Sequence, residues 1–161
     1  MEGVAEVSKG VRAQQGIMIP TISKILLVVR NDADYRKATE NAIQIAAGKN
    51  PKIYLLYAVD MELPPVVPEN TEKQIYDRLR KEGEQVIEEC IRKIKASGID
   101  VEVIGMHFGF AAERILRTER ELKPDLIVLS CRGLSTLKRF LLGSISDEVV
   151  KEAKAPVLLV K

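Results

Sequence analysis

The sequence predicts an α/β fold. It reads as one domain built on an open five-stranded parallel sheet in the order 3-2-1-4-5, with helices on both faces. Three observations carry that expectation. Short, near-continuous apolar runs recur along the chain, as strands buried on both faces require. Helical stripes separate these runs, and several end at a glycine or just before a proline. The length, 161 residues, suffices for a single core without disulfides or metal.

Taken in order, residues 1–21 have little pattern and are expected to be a flexible extension of a domain spanning 22–161. The first strand is KILLVV (Lys24 to Val29), followed by a helix striped by Ala38, Ala42, Ile45 and Ala46. The second strand is IYLLYAV (Ile53 to Val59). In MELPPVVPENT (Met61 to Thr71) three prolines fix φ and remove backbone donors, so a loop is expected throughout. Ile75, Leu79, Val86, Cys90 and Ile94 mark a long helix that stops at Ser97-Gly98. VEVIGM (Val101 to Met106) alternates and supplies the third strand. Ala112, Ile115 and Leu116 mark a helix ending before Pro124, and DLIVL (Asp125 to Leu129) is the fourth strand. A last helix carries Ile145, Val149, Val150 and Ala153, and PVLLV (Pro156 to Val160) closes the sheet.

Composition narrows the function. With 25 basic against 23 acidic residues, the net charge of +2 leaves no basic footprint for nucleic acid. Tryptophan is absent and other aromatics are few, which removes the usual base-stacking platform. No eighteen-residue apolar run exists, so no membrane span is expected, and the first residues lack the apolar stretch of a secretory signal. Cys90 and Cys131 show no CxxC or metal-ligand spacing, which fits a reducing, cytoplasmic setting. His107 is the single histidine, with no companion ligands to make a metal site. No GxSxG elbow, Walker A loop or GxGxxG fingerprint occurs, so no catalytic residue is assigned.

One stretch points to a ligand. In open sheets of this order, ligands bind outside the carboxyl ends of the strands where the order reverses, here between strands one and four. RNDAD (Arg30 to Asp34) and SCRGLSTLKRFLLGSIS (Ser130 to Ser146) fall at that crevice. Gly133 would let backbone approach a ligand closely, and Gly143-Ser144 opens a helix whose free amides favour anions. Ser144 is a candidate cap for that helix, with Asp147 completing a capping-box-like pair, or a phosphate ligand. Arg132, Lys138 and Arg139 add positive charge. Glycines beside helices and serines at their starts are common, so the stretch alone leaves both a phosphate cradle and plain punctuation open.

GLSTLKRFLLGSIS followed by EVVKEAKAPVLLV resembles the C-terminal signature of the universal stress protein family. That family's nucleotide-binding members carry G-x2-G-x9-G-[ST] after the fourth strand. Gly133, nine intervening residues, Gly143 and Ser144 match the spacing. KILLVV, YLLYAV and GFAAERIL (Gly109 to Leu116) extend the likeness over residues 22 to 161. Three positions depart from the pattern: Ser130 stands at the first motif glycine, Arg30 at the customary aspartate ending the first strand, and Ala111 at a proline.

The resemblance implies an adenine nucleotide alpha hydrolase-like fold and a regulatory or ligand-sensing role. It further implies ATP or AMP as ligand, with magnesium as a candidate companion. The implied nucleotide contacts are Arg30, Val59, Leu129, Ser130, Gly133, Gly143, Ser144 and Ile145. Val59 and Leu129 would line the adenine side, with phosphate and ribose at Gly133, Gly143, Ser144 and Ile145. A guanidinium accepts no hydrogen bond, so Arg30 cannot replace an aspartate toward ribose hydroxyls, and Asp32 is a displaced candidate. The alternative is a family member that binds no nucleotide, its pocket occluded by Arg30, acting through dimerisation and protein partners. RNDAD lacks the glycine- and serine-rich character of hydrolysing relatives, so slow or absent hydrolysis is expected. PVLLV is an edge strand, apolar along its length, whose pairing with its own copy would give a homodimer.

Overall fold

A computed structural model of the chain describes residues 21–31, 34–62, 66, 68–131 and 143–161. Residues 1–20 of the expected flexible extension, Asp32, Arg132, Gly133, Lys138 and Arg139 lie outside these residues. Five parallel strands form one sheet in the order β3-β2-β1-β4-β5: β1 Lys24–Val29, β2 Lys52–Asp60, β3 Val101–Gly109, β4 Leu126–Ser130 and β5 Val157–Val160. Among the described residues four helices alternate with them: α1 Tyr35–Ala46, α2 Glu69–Ala96, α3 Ala111–Leu122 and α4 Ser144–Glu152. The predicted fold and strand order are thus those observed.

The two-sided burial predicted for the strands is literal in β1, whose residues from Ile25 to Val29 are all buried. Its odd-numbered side chains join α1 and α2 in one core cluster with Tyr35, Ala38, Tyr57, Val86 and Ile94. Leu26 and Val28 point the other way, into a second cluster with Ile115, Leu129, Ile145 and Val149 from α3, β4 and α4. Strand alternation therefore sorts the apolar run into two cores.

Two boundaries differ from expectation by three residues, and the ends of β2, β4 and β5 by one. The helix α2 begins at Glu69, so the proline loop ends at Pro68 rather than Thr71; Glu69 and Glu72 sit in its first turn, where acids complement the helix dipole. β3 runs on to Gly109, paired with β2 as far as Asp60; its register slips between Leu55 and Leu56, where Ile104 is the extra residue and Gly105 follows at φ 144°.

The amino ends of the strands are pinned by side chains. Asp125 Oδ2 accepts from the backbone amides of Ser23 at 2.8 Å and Lys24 at 2.9 Å, fastening the start of β1 to β4. Buried Glu119 accepts through Oε1 from the amides of Lys154 at 2.6 Å and Ala155 at 2.7 Å, holding the turn before β5 against α3.

Candidate functional site

The crevice between β1 and β4 lies where the sheet order reverses, and the last residues of both strands meet there. Val28 pairs with Leu129, leaving Arg30 and Ser130 just beyond, with Ser130 also paired to Val160 of β5. Arg30 is half-buried and engaged with its surroundings. Ser130 is fully buried, and its hydroxyl has no hydrogen-bond partner among the described residues.

Nearby, a cavity of about 530 Å³ opens between the end of β2 and the amino ends of α3 and α4. Asp60, Glu62, Glu113 and Glu148 line it beside Phe110, Ala112, Ser144 and Ile145. Asp60, the last residue of β2, sets its geometry: Oδ1 accepts from the Ala111 amide at 2.9 Å, and Ser144 Oγ reaches Oδ2 at 3.5 Å. One carboxylate thus ties the starts of both helices to the sheet. Among the described residues no group of three or more His, Cys, Asp or Glu is placed to hold a metal ion. The cavity's carboxylates accept hydrogen bonds and repel anions, so its chemistry suits hydroxyl and amine donors rather than phosphate.

The amino end of α4 has the opposite character. Gly143 occupies the N-cap and Asp147 is the first residue to donate back to it, at 2.9 Å, so the preceding amides lack intrahelical partners. The expected serine cap does not form. Ser144 is already the first helical residue, turned toward Asp60, and Asp147 pairs with Lys151 at 2.7 Å instead of reaching back. Gly143 has φ −57° and ψ 155°, open to any residue, and an added Cβ would meet nothing within 4 Å. Among the described residues neither backbone conformation nor packing demands a glycine there.

Ser144 and Ile145 are brought together at the cavity, Ile145 buried and Ser144 exposed. Val59 and Leu129 are not brought together, because Val59 packs on the α1–α2 face and Leu129 on the α3–α4 face. Asp60, Glu62, Phe110, Glu113 and Glu148 were not singled out from sequence. The available signal was positional: Asp60 ends an apolar strand on the ligand side of the sheet.

The start of α1 is fixed by a polar cluster. Tyr35 donates to Glu89 Oε2 at 2.6 Å, and Arg36 Nε donates to Oε1 at 2.7 Å. Hydrogen bonds from Arg36 and then Tyr35 hold the Glu89 carboxyl down at about 2, while burial and then Glu89 push the Tyr35 phenol up to about 12. This clamp ties α1 to α2 directly below the loop that follows β1.

Comparison with known proteins places this geometry. The model of the universal stress protein family matches residues 21–161. A universal stress protein of Methanocaldococcus jannaschii is 32% identical over 126 residues, covering 78% of this chain and 74% of that protein. Another protein of that organism, known from a structure-based assignment of biochemical function, superposes with TM-score 0.76 at 25% identity, covering 88% of this chain and 97% of that one. An Arabidopsis thaliana family protein with AMP bound shares the fold at TM-score 0.64 and 20% identity, covering 86% of this chain and 91% of that one. So does a universal stress protein in complex with cAMP, at TM-score 0.65 and 24% identity, covering 88% of this chain and 99% of that one. With the family model matching nearly the whole described chain, this protein belongs to the universal stress protein family.

Proposed function

We propose that the chain is a regulatory protein that binds an adenine nucleotide, AMP or ATP with or without magnesium, in the crevice at the carboxyl end of its sheet. The observation that carries the reading is Gly143. A glycine costs conformational entropy on folding, and here neither φ nor neighbouring atoms require one. Close approach of an anion to the first amides of α4 supplies the reason. Fold neighbours crystallised with AMP and cAMP support the ligand class.

The polarity of the site suggests how the nucleotide would divide. Phosphate suits the α4 amino end, and the carboxylate-lined cavity suits the nucleoside's donors. Asp60 Oδ2, held among the described residues only by the long Ser144 contact, has acceptor capacity for a sugar hydroxyl. It would supply the carboxylate that Arg30 does not. Isothermal calorimetry with AMP and ATP, with and without magnesium, is the test; a folded protein giving no binding heat with any of them defeats the reading.

A second reading has its own observation. Arg30 is half-buried and already engaged, as an occluding side chain would be. Arg30→Asp separates the two: gained nucleotide binding favours occlusion, and lost binding makes Arg30 a ligand contact. In either reading the chain acts as a homodimer through β5, which lies at the sheet edge with Val157, Leu158 and Leu159 half-buried. Light scattering at micromolar concentration should give twice the 18.0 kDa chain mass.

A further inference from the structure

Phe110 is the aromatic side chain that the fold leaves unused. Among the described residues every other ring packs on a neighbour. Tyr57 and Tyr76 lie against Phe108, with ring centroids 6.1 and 6.4 Å away. Arg36 covers the Tyr35 ring at 4.9 Å, and Lys52 Nζ lies 5.5 Å from the Tyr54 centroid. Phe110 has no such partner and is 67% exposed. It occupies the N-cap of α3, where a short polar side chain ordinarily bonds the free amides. Asp60 does that work instead, accepting from the Ala111 amide at 2.9 Å. The start of the helix therefore does not call for a phenyl ring.

Its place supplies a use. The ring lines the cavity of about 530 Å³ that also reaches Ser144 and Ile145 at the start of α4. A smaller cavity, of about 310 Å³, lies on the ring beside Arg114 and Arg117 but does not reach α4. The larger one thus joins an apolar ring to the helix end proposed for phosphate, and its volume falls in the range of small-molecule sites. Val59 and Leu129, expected beside the adenine, enter opposite cores and form no common wall. Of the exposed large apolar side chains among the described residues, Phe110 alone borders this cavity. We infer that Phe110 is the base-stacking residue of the site: its ring takes one face of the purine while the amino end of α4 takes the phosphate. The inference rests on the nucleotide reading above and names the contact that makes the site prefer a nucleotide to a plain sugar phosphate.

The test uses the full chain with Phe110→Ala and Phe110→Tyr, urea unfolding without ligand, and calorimetry with AMP, ATP and ribose 5-phosphate, which lacks the base. Wild type should bind the nucleotides more tightly than ribose 5-phosphate. Phe110→Ala should weaken both nucleotides about tenfold, the scale of one lost base–aromatic stack, and leave ribose 5-phosphate as it was. Phe110→Tyr keeps the ring and should keep the affinity. Because the ring is exposed, both variants should unfold at the wild-type urea concentration. Unchanged nucleotide affinity in Phe110→Ala, or an equal loss with ribose 5-phosphate, overturns the inference while leaving nucleotide binding intact. So does a Phe110→Tyr protein that binds as weakly as Phe110→Ala, or a wild type that does not distinguish nucleotide from ribose 5-phosphate. A Phe110→Ala protein that unfolds at clearly lower urea overturns it as well, making the ring part of the fold. Wild type that binds neither AMP nor ATP defeats the nucleotide reading itself, and this inference with it.

Discussion

At the amino ends of the strands, Glu119 and Asp125 each turn one carboxylate oxygen to two backbone amides, between 2.6 and 2.9 Å. At the carboxyl ends, among the described residues, the Ser130 hydroxyl has no partner and Asp60 Oδ2 has only a hydroxyl 3.5 Å away. Both ends are polar, but the amino-end groups are consumed by the fold and the carboxyl-end groups keep hydrogen-bonding capacity. The difference teaches how to read a substitution: at the amino end it should register as stability, at the carboxyl end as binding.

The largest expected effect is therefore at Glu119, far from the candidate site. Glu119→Ala removes a buried acceptor from two amides and should cost about 3 kcal/mol, read from urea unfolding. Glu119→Gln keeps one acceptor oxygen and should cost about half as much. A Glu119→Ala protein of wild-type stability would collapse the contrast between the two ends.

The clamp between α1 and α2 comes next and is pH-dependent. Glu89 titrates near 2 in the folded protein against an ordinary value of 4.5. A lowered folded value means the unfolded chain takes up the proton first. Its stabilisation is complete above about 4.5 and is lost as pH falls from there toward 2. With Arg36 largely exposed, the contribution is about 1 kcal/mol after solvent screening. Glu89→Gln should lower stability at pH 7 and flatten its decline between pH 5 and 3; an equally steep decline in the variant would place the acid sensitivity elsewhere.

Asp60 tests the carboxyl end directly. Asp60→Ala frees the Ala111 amide at the start of α3, a cap-type loss of about 1 kcal/mol in urea unfolding. Nucleotide affinity should fall by at least as large a factor as stability does. A loss of stability matching Glu119→Ala, with binding untouched, would show that this end too is spent on the fold.

Much of this architecture was legible in the sequence because its signals are local. Apolar runs fixed β1, β2, β4 and β5, and Ser97-Gly98 stopped α2, with Gly98 at φ 74°. The extension of β3 to Gly109 was not legible, since it is carried by pairing with β2 as far as Asp60, which no single stretch of sequence reveals. The site was legible in part. The family resemblance pointed to Ser144 and Ile145, which line the cavity, but its wall of Asp60, Glu62, Glu113 and Glu148 comes from three separate segments. No window of sequence brings those carboxylates together. Val59 and Leu129, expected on one wall, are parted because residues on neighbouring strands can share a sheet end and still face opposite cores.

The smallest effect on stability, and the sharpest on function, is expected at Gly143. Its backbone angles suit alanine, and a Cβ there meets no atom within 4 Å. Alanine at such a position reduces the freedom of the unfolded chain but is a poorer N-cap than glycine, and the two effects offset, so Gly143→Ala should change stability by less than about 1 kcal/mol. The same methyl would stand where an anion must approach the first amides of α4, so AMP affinity should drop about tenfold or more. Unfolding and calorimetry on one variant thus separate the two demands that a glycine can answer. If Gly143→Ala destabilises the protein and binds AMP normally, the glycine serves the fold, and the α4 amino end loses its claim on the phosphate.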